Sequence, residues 1–166
     1  MRLIGLMVAA LLWTVPAGAQ TWKEYSYPES AFTIHFPADP KVQDGSYMTA
    51  DGTAVKARIY SLEFEGTLYS VTVADFSQLK MSEESAIEQA VKQLTAEGEV
   101  IVNIEHRVNS TYGRQLSIAG KDGSRSTVAV FYRQNKLYLT SGKILPTNPD
   151  KASGDGLRFQ QTLGWM

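Results

Sequence analysis

Residues 126–133 read Ser-Thr-Val-Ala-Val-Phe-Tyr-Arg. Successive side chains of an extended strand point to opposite faces, which puts Val128, Val130 and Tyr132 on one face and Ala129 and Phe131 on the other. Both faces are apolar, so this is an internal strand of a sheet covered on its two sides. Two helical segments can supply the covering layers. In the first, Ser82 is placed as N-cap, Glu83 and Glu84 meet the positive end of the helix dipole, and Gly98 ends the helix. Ala86, Ile87, Ala90, Val91 and Leu94 recur at three- and four-residue spacing as one apolar stripe, opposite a Glu-rich solvated face. A second helix is predicted from about Ser153 to Leu163. Gly154 and Gly156 each cost it up to ~1 kcal/mol, so packing of Leu157, Phe159 and Leu163 must hold it. The expected class is α+β, an α/β/α sandwich with a largely antiparallel sheet of about six to nine strands and two main helices.

Turn signals divide the rest of the chain. Asp44-Gly45, Asp51-Gly52, Glu65-Gly66 and Asp122-Gly123 each fall between β-type runs. Those runs are 22–27, 32–36, 46–50, 53–64 and 68–76 before the first helix, and 100–108, 112–119, 126–133 and 136–144 after it. Most are joined by two to five residues, which favours antiparallel neighbours. No linker, repeat or low-complexity tract interrupts residues 20–166, so they are expected to form one domain.

The first nineteen residues read differently. A positive Met1-Arg2 start, an apolar run from Leu3 to Trp13, Pro16, and the small-x-small sequence Ala17-Gly18-Ala19 form a secretory signal peptide cut after Ala19. Eleven apolar residues reach only about half of a ~30 Å hydrocarbon core, which disfavours a membrane anchor. The expected mature chain, 20–166, is therefore soluble in the periplasm or outside the cell, without an integral membrane segment. Of 166 residues 43% are hydrophobic and 20% charged, with formal net charge −1 and no cysteine. That hydrophobic content opposes disorder, and the charge lacks the basic excess of a nucleic-acid binder. Without cysteine there are no disulfides, thiolate nucleophiles, Cys-ligated zinc or iron–sulfur clusters, nor a bacterial lipoprotein anchor.

One resemblance is carried by short motifs. Phe32-Thr33-Ile34-His35-Phe36-Pro37, after Tyr27-Pro28-Glu29-Ser30-Ala31, resembles the G-F-S-I-x-F-P opening of PsbP-like domains, with Ala31 where Gly is usual. Leu157-Arg158-Phe159-Gln160-Gln161-Thr162-Leu163 is similar to their closing helix, with Thr162 where Ser is frequent. The resemblance implies the PsbP-like/Mog-type α/β/α sandwich superfamily, which includes extrinsic photosystem subunits, a nuclear GTPase-release factor and exported bacterial proteins. It also implies interaction rather than catalysis, and no functional residue transfers position by position.

The residues themselves specify no reaction. His35 and His106, the only histidines, have no second His or carboxylate at ligand spacing, so no metal or cofactor is expected. Ser77-Gln78-Leu79-Lys80 matches S-x-x-K but lacks S-D-N and K-T-G partners and reads as a linker. Asn109-Ser110-Thr111 fits a glycosylation acceptor and marks an exposed turn. The aromatic residues read as core and sheet packing rather than glycan platforms. The expected function is a non-enzymatic binding or accessory domain acting on a protein or cell-envelope component. The alternatives are a carrier of a small anionic or apolar ligand, which needs a pocket between sheet and helix, and a His-independent hydrolase.

Strand register supplies one candidate site. With Asp122-Gly123 and Gln134-Asn135 as two-residue turns, Arg114 faces Phe131, Phe131 faces Tyr138, and Arg133 faces Lys136. A two- or four-residue connection at Ser110-Thr111 sets Arg107 opposite Arg114. Arg107, Arg114, Arg133 and Lys136 then gather beside Phe131 and Tyr138 as an anion or acidic-partner site. Glu105 and Asp155 are the acids that could neutralise it.

Overall fold

A computed structural model describes residues 21–152 and 154–166. The proposed leader, its cleavage point and Ser153 lie outside the described residues. Nine strands of five or more residues carry most of the chain: β1 Lys23–Tyr27, β2 Phe32–Phe36, β3 Lys41–Met48, β4 Ala54–Phe64, β5 Thr67–Asp75, β6 Gly98–Val108, β7 Thr111–Gly120, β8 Arg125–Arg133 and β9 Lys136–Ile144. Helix α1 spans Glu83–Thr95, helix α2 spans Gly154–Gln161, and a two-residue strand β10, Gly164–Trp165, follows it. All pairings are antiparallel, in a seven-stranded sheet ordered β3-β4-β5-β9-β8-β7-β6 and a three-stranded sheet ordered β1-β2-β10.

Strand β8 divides the core as its sequence requires. Val128, Val130 and Tyr132 pack with Leu116, Leu137 and the α1 residues Ala86, Ile87, Ala90 and Leu94. On the other face Ala129 and Phe131 pack with Phe32, Ile34 and Phe36 of β2 and Phe159 of α2. The layer opposite α1 is therefore a small sheet together with a helix, which makes the fold richer in β-structure than the expected sandwich. Ser82 caps α1, accepting from the Ser85 backbone N–H at 3.2 Å. Phe159 and Leu163 are buried as expected, whereas Leu157 is exposed.

Three turn readings need correction. Asp44-Gly45 lies inside β3, where Gly45 pairs with Ala57 and makes room for the Ile59 side chain. Helix α1 stops at Thr95 with Ala96 right-handed; Gly98 instead opens β6, where a Cβ would stand 2.1 Å from the Ala119 carbonyl oxygen. Asp122-Gly123 is part of a three-residue loop closed by Gly120 N–H to Ser124 O at 2.8 Å, with Gly123 at φ +83°. That extra residue changes the site.

Candidate binding site

A one-residue change of register moves every side chain of a strand to the other face. With the three-residue loop, Arg114 pairs with Val130, and Gly113 takes the place opposite Phe131. The connection before β7 is Asn109-Ser110, both at positive φ, so Arg107 faces Tyr112 and Arg114 faces Glu105. Gln134-Asn135 does form the expected two-residue turn, with Phe131 opposite Tyr138 and Arg133 opposite Lys136. The four cations are consequently split. Arg107 and Arg114 share the α1 face, and Arg133 and Lys136 share the face of α2 and the small sheet.

On the α1 face, Arg114 Nε and Nη2 donate to Asn103 Oδ1 at 3.0 and 2.5 Å, and Nη2 lies 3.4 Å from the Asn103 carbonyl oxygen. The clamp is a neutral amide. Among the described residues, no carboxylate lies within ion-pair distance of Arg114, although Glu105 is its cross-strand neighbour; Asp155 pairs with Lys151 at 3.9 Å instead. Beside Arg114, a cleft of about 400 Å³ opens between α1 and β7, lined by Ile87, Val91 and Tyr112 with Glu84 and Lys92. The Arg107 guanidinium lies 5.5 Å from the centre of the Tyr112 ring. The cleft thus has Arg114 on its strand wall, an apolar floor, and a helix wall that carries Glu84, Glu88 and Lys92.

On the other face, Phe131 and Tyr138 are core residues rather than ligand-facing aromatics, each fully buried. Trp165 of β10 covers both, at ring distances of 5.5 and 5.0 Å, and its indole N–H donates to the Val108 carbonyl oxygen at 3.1 Å. Arg133 lies over the Trp165 ring at 5.7 Å, and Lys136 Nζ donates to the Glu29 carbonyl oxygen at 3.3 Å. The sequence shows neither the Asn103 clamp nor where Trp165 packs, and it names a pocket between sheet and helix only as what a carrier needs. The Gly164-Trp165 dipeptide after α2 is too short for a periodic signal, and Asn103 reaches Arg114 only through the realised register.

Several other polar groups have structural partners. Ser30 and Tyr60 share a buried 2.6 Å hydrogen bond, Tyr60 donates to Glu29 at 3.3 Å, and burial raises the Tyr60 pKa. Its hydroxyl therefore stays protonated near neutrality. Asp51, Asp75 and Asp122 all titrate below the ordinary carboxylate value, because Thr49, Ser77 and Ser124 respectively donate to them within tight turns; Asp122 falls to about 2. His106 packs on Phe131 at 5.6 Å and burial lowers its pKa. His35 uses its backbone N–H to reach Thr162 at 3.0 Å, while Asp39 accepts from Tyr25 at 2.5 Å. Ser77 sits in the turn before α1, its N–H donating to Asp75 at 2.9 Å. Among the described residues no group of three His, Asp or Glu side chains is arranged to hold a metal, and no helix is long and apolar enough to cross a membrane.

No family model and no curated protein matches the chain. Among solved structures, it is similar to the solution structure of cyanobacterial PsbP (CyanoP) from Synechocystis sp. PCC 6803, with TM-score 0.58 and 12% identity over 95% of this chain and 100% of that one. It is also similar, with TM-score 0.43 and 12% identity, to protein PA94 of unknown function from Pseudomonas aeruginosa, over 85% of this chain and 94% of that one. Its two helices, antiparallel seven-stranded sheet and three-stranded sheet give the chain a PsbP-like fold.

Proposed function

We propose that the chain is an exported, non-enzymatic accessory domain, acting as residues 20–166, that holds an acidic, apolar segment of a protein or cell-envelope component in the cleft between α1 and β7. The observation that carries this reading is Arg114, pinned by a neutral amide beside an apolar floor. A guanidinium fixed in one orientation and without an ion-pair partner favours an oxyanion, while Ile87, Val91 and Tyr112 favour the apolar body attached to it. Glu84 and Glu88 on the helix wall orient the occupant, repelling its anionic end toward the strands. The lowered carboxylates and the neutral Tyr60 provide neither a general acid poised near neutrality nor an activated nucleophile, which supports binding over hydrolysis. A second reading, a carrier of a small carboxylate amphiphile, is favoured by the cleft volume, which lies within the roughly 300–1,000 Å³ range of small-molecule sites.

The test is an NMR titration of residues 20–166 with octanoate and with an acidic, leucine-rich peptide. Saturable shifts centred on Val91, Tyr112 and Arg114, lost in Arg114→Ala, are expected. Tighter binding of octanoate than of peptide selects the carrier. A lack of saturation with both probes, or shifts centred on another face, overturns the proposal.

A further inference from the structure

We infer that Arg133 and Lys136 form a second, independent oxyanion subsite on the opposite face of the large sheet, for a single carboxylate or phosphate group. A conflict is built into the hairpin. Arg133 ends β8, Lys136 begins β9, and the Gln134-Asn135 turn sets them directly opposite each other. Like charges in that arrangement repel. The turn fixes the register, so the pair cannot separate by slipping. The usual remedy is a nearby carboxylate, yet among the described residues neither cation has one within 4 Å.

The acids nearest the pair, Glu29, Asp44 and Asp75, each have another partner, Asp44 lying 4.0 Å from Arg58. Asp75, opposite Lys136 in the β5–β9 register, attracts Lys136 through space without an ion pair within 4 Å, and its carboxylate accepts from the Ser77 N–H at 2.9 Å. The Glu29 carboxylate accepts from Tyr60 at 3.3 Å, and only its backbone oxygen meets Lys136. Tyr138 spends its hydroxyl proton on the Ser30 carbonyl oxygen at 3.1 Å.

Arg133 also carries an independent sign of a missing acceptor: its Nη1 is buried with no protein hydrogen-bond partner. A buried donor on a charged group is unfavourable until an acceptor reaches it. Trp165 holds the guanidinium in place, since its ring lies under Arg133 and is itself fixed by Val108, Phe131 and Tyr138. Nη1 is covered by protein, so a shift of the Arg133 side chain that brings it to the surface lets an oxyanion accept from it and relieve the Arg133–Lys136 repulsion in one step. The cleft of about 220 Å³ that Lys136 lines is walled mainly by charged side chains, in contrast to the apolar floor beside Arg114, so the ligand class is the charged group alone.

The experiment follows the Trp165 indole and Arg133 Nε–H signals of residues 20–166 by NMR, with inorganic phosphate and acetate as separate probes at constant ionic strength. Both signals are expected to shift saturably with at least one probe, and the stronger probe identifies the preferred oxyanion. Arg133→Lys keeps the charge but removes Nη1, and is expected to weaken binding by about tenfold, the loss of one charge-assisted hydrogen bond. Lys136→Gln is also expected to weaken it, and Arg114→Ala to leave it unchanged. Linear shifts with both probes, or equal affinity in a folded Arg133→Lys protein, overturn the inference. Because Arg114→Ala is the variant that removes the cleft ligand, the two proposals fail separately.

Discussion

Replacing Gly142 with Ala tests how α2, and through it Trp165, is seated on the large sheet. A Cβ at Gly142 would stand 2.4 Å from the Gly156 Cα, and one at Gly156 would stand 3.1 Å from the Gly142 oxygen. Ordinary carbon contacts begin near 3.4 Å, so α2 must lift by about 1 Å to admit one methyl group. A gap of that size forfeits roughly a quarter to a half of each dispersion contact it opens. The contacts at stake are those of Phe159 with Phe36, Tyr69 and Trp22, whose ring centres lie 4.9, 5.3 and 6.4 Å away. Overpacking of this kind costs about 1–3 kcal/mol, and the backbone gain from Gly to Ala offsets about 0.5–1 kcal/mol. The expected net loss is about 1–2 kcal/mol, a fall in Tm of about 3–8 °C for a domain of this size. Gly154 provides the opposite sign, because a Cβ there meets nothing within 4 Å. Gly154→Ala is expected to stabilise by about 0.5 kcal/mol through the unfolded chain. Both are read by circular dichroism melts at one pH and scan rate. An unchanged or raised Tm for Gly142→Ala would refute the seating of α2 by glycine contact.

Ser82→Ala should cost about 1 kcal/mol, seen as a lower denaturation midpoint in urea, because it removes the oxygen that accepts the Ser85 N–H. His106 should make stability pH-dependent: burial places its folded pKa below the ordinary 6.5, so its contribution is present above 6.5 and is lost as pH falls through the folded value. Melts at pH 7.5 and 5.0 should therefore show a smaller acid-induced drop for His106→Gln than for the unmodified chain. Intact-mass measurement of the exported protein should find residues 20–166; the full chain retained in membranes would contradict export with cleavage after Ala19.

The parts of the fold legible in the sequence are those where residue type alone decides the environment. The alternation of Val128, Val130 and Tyr132 with Ala129 and Phe131 leaves no polar side to expose, and the α1 stripe follows from its spacing. Asp44-Gly45 misled because the dipeptide serves equally where a neighbouring side chain, here Ile59, needs the space of a missing Cβ. The candidate site failed at a finer scale. Asp122-Gly123 marked the bend, but Asp122 also accepts from the Ser124 N–H at 2.9 Å and so helps close a three-residue loop. That single residue carries Arg114 to the far face. Between Arg133 and Lys136 the Gln134-Asn135 turn is short enough that register was readable, and their pairing was anticipated correctly. That Trp165 packs is legible in its residue type, but where it packs is not, because its place depends on contacts with distant strands rather than on its own neighbours.

The most direct test of the proposed cleft function is site-specific photo-cross-linking in the producing cell, with Tyr112 replaced by a photoactivatable phenylalanine analogue and the same analogue placed at exposed Ser46 as a control. The cleft predicts a discrete adduct from position 112 that is competed by octanoate, abolished by adding Arg114→Ala, and missing from position 46. An adduct at 112 that survives both octanoate and the loss of Arg114, or none at 112 while an analogue beside Arg133 is cross-linked, would contradict it.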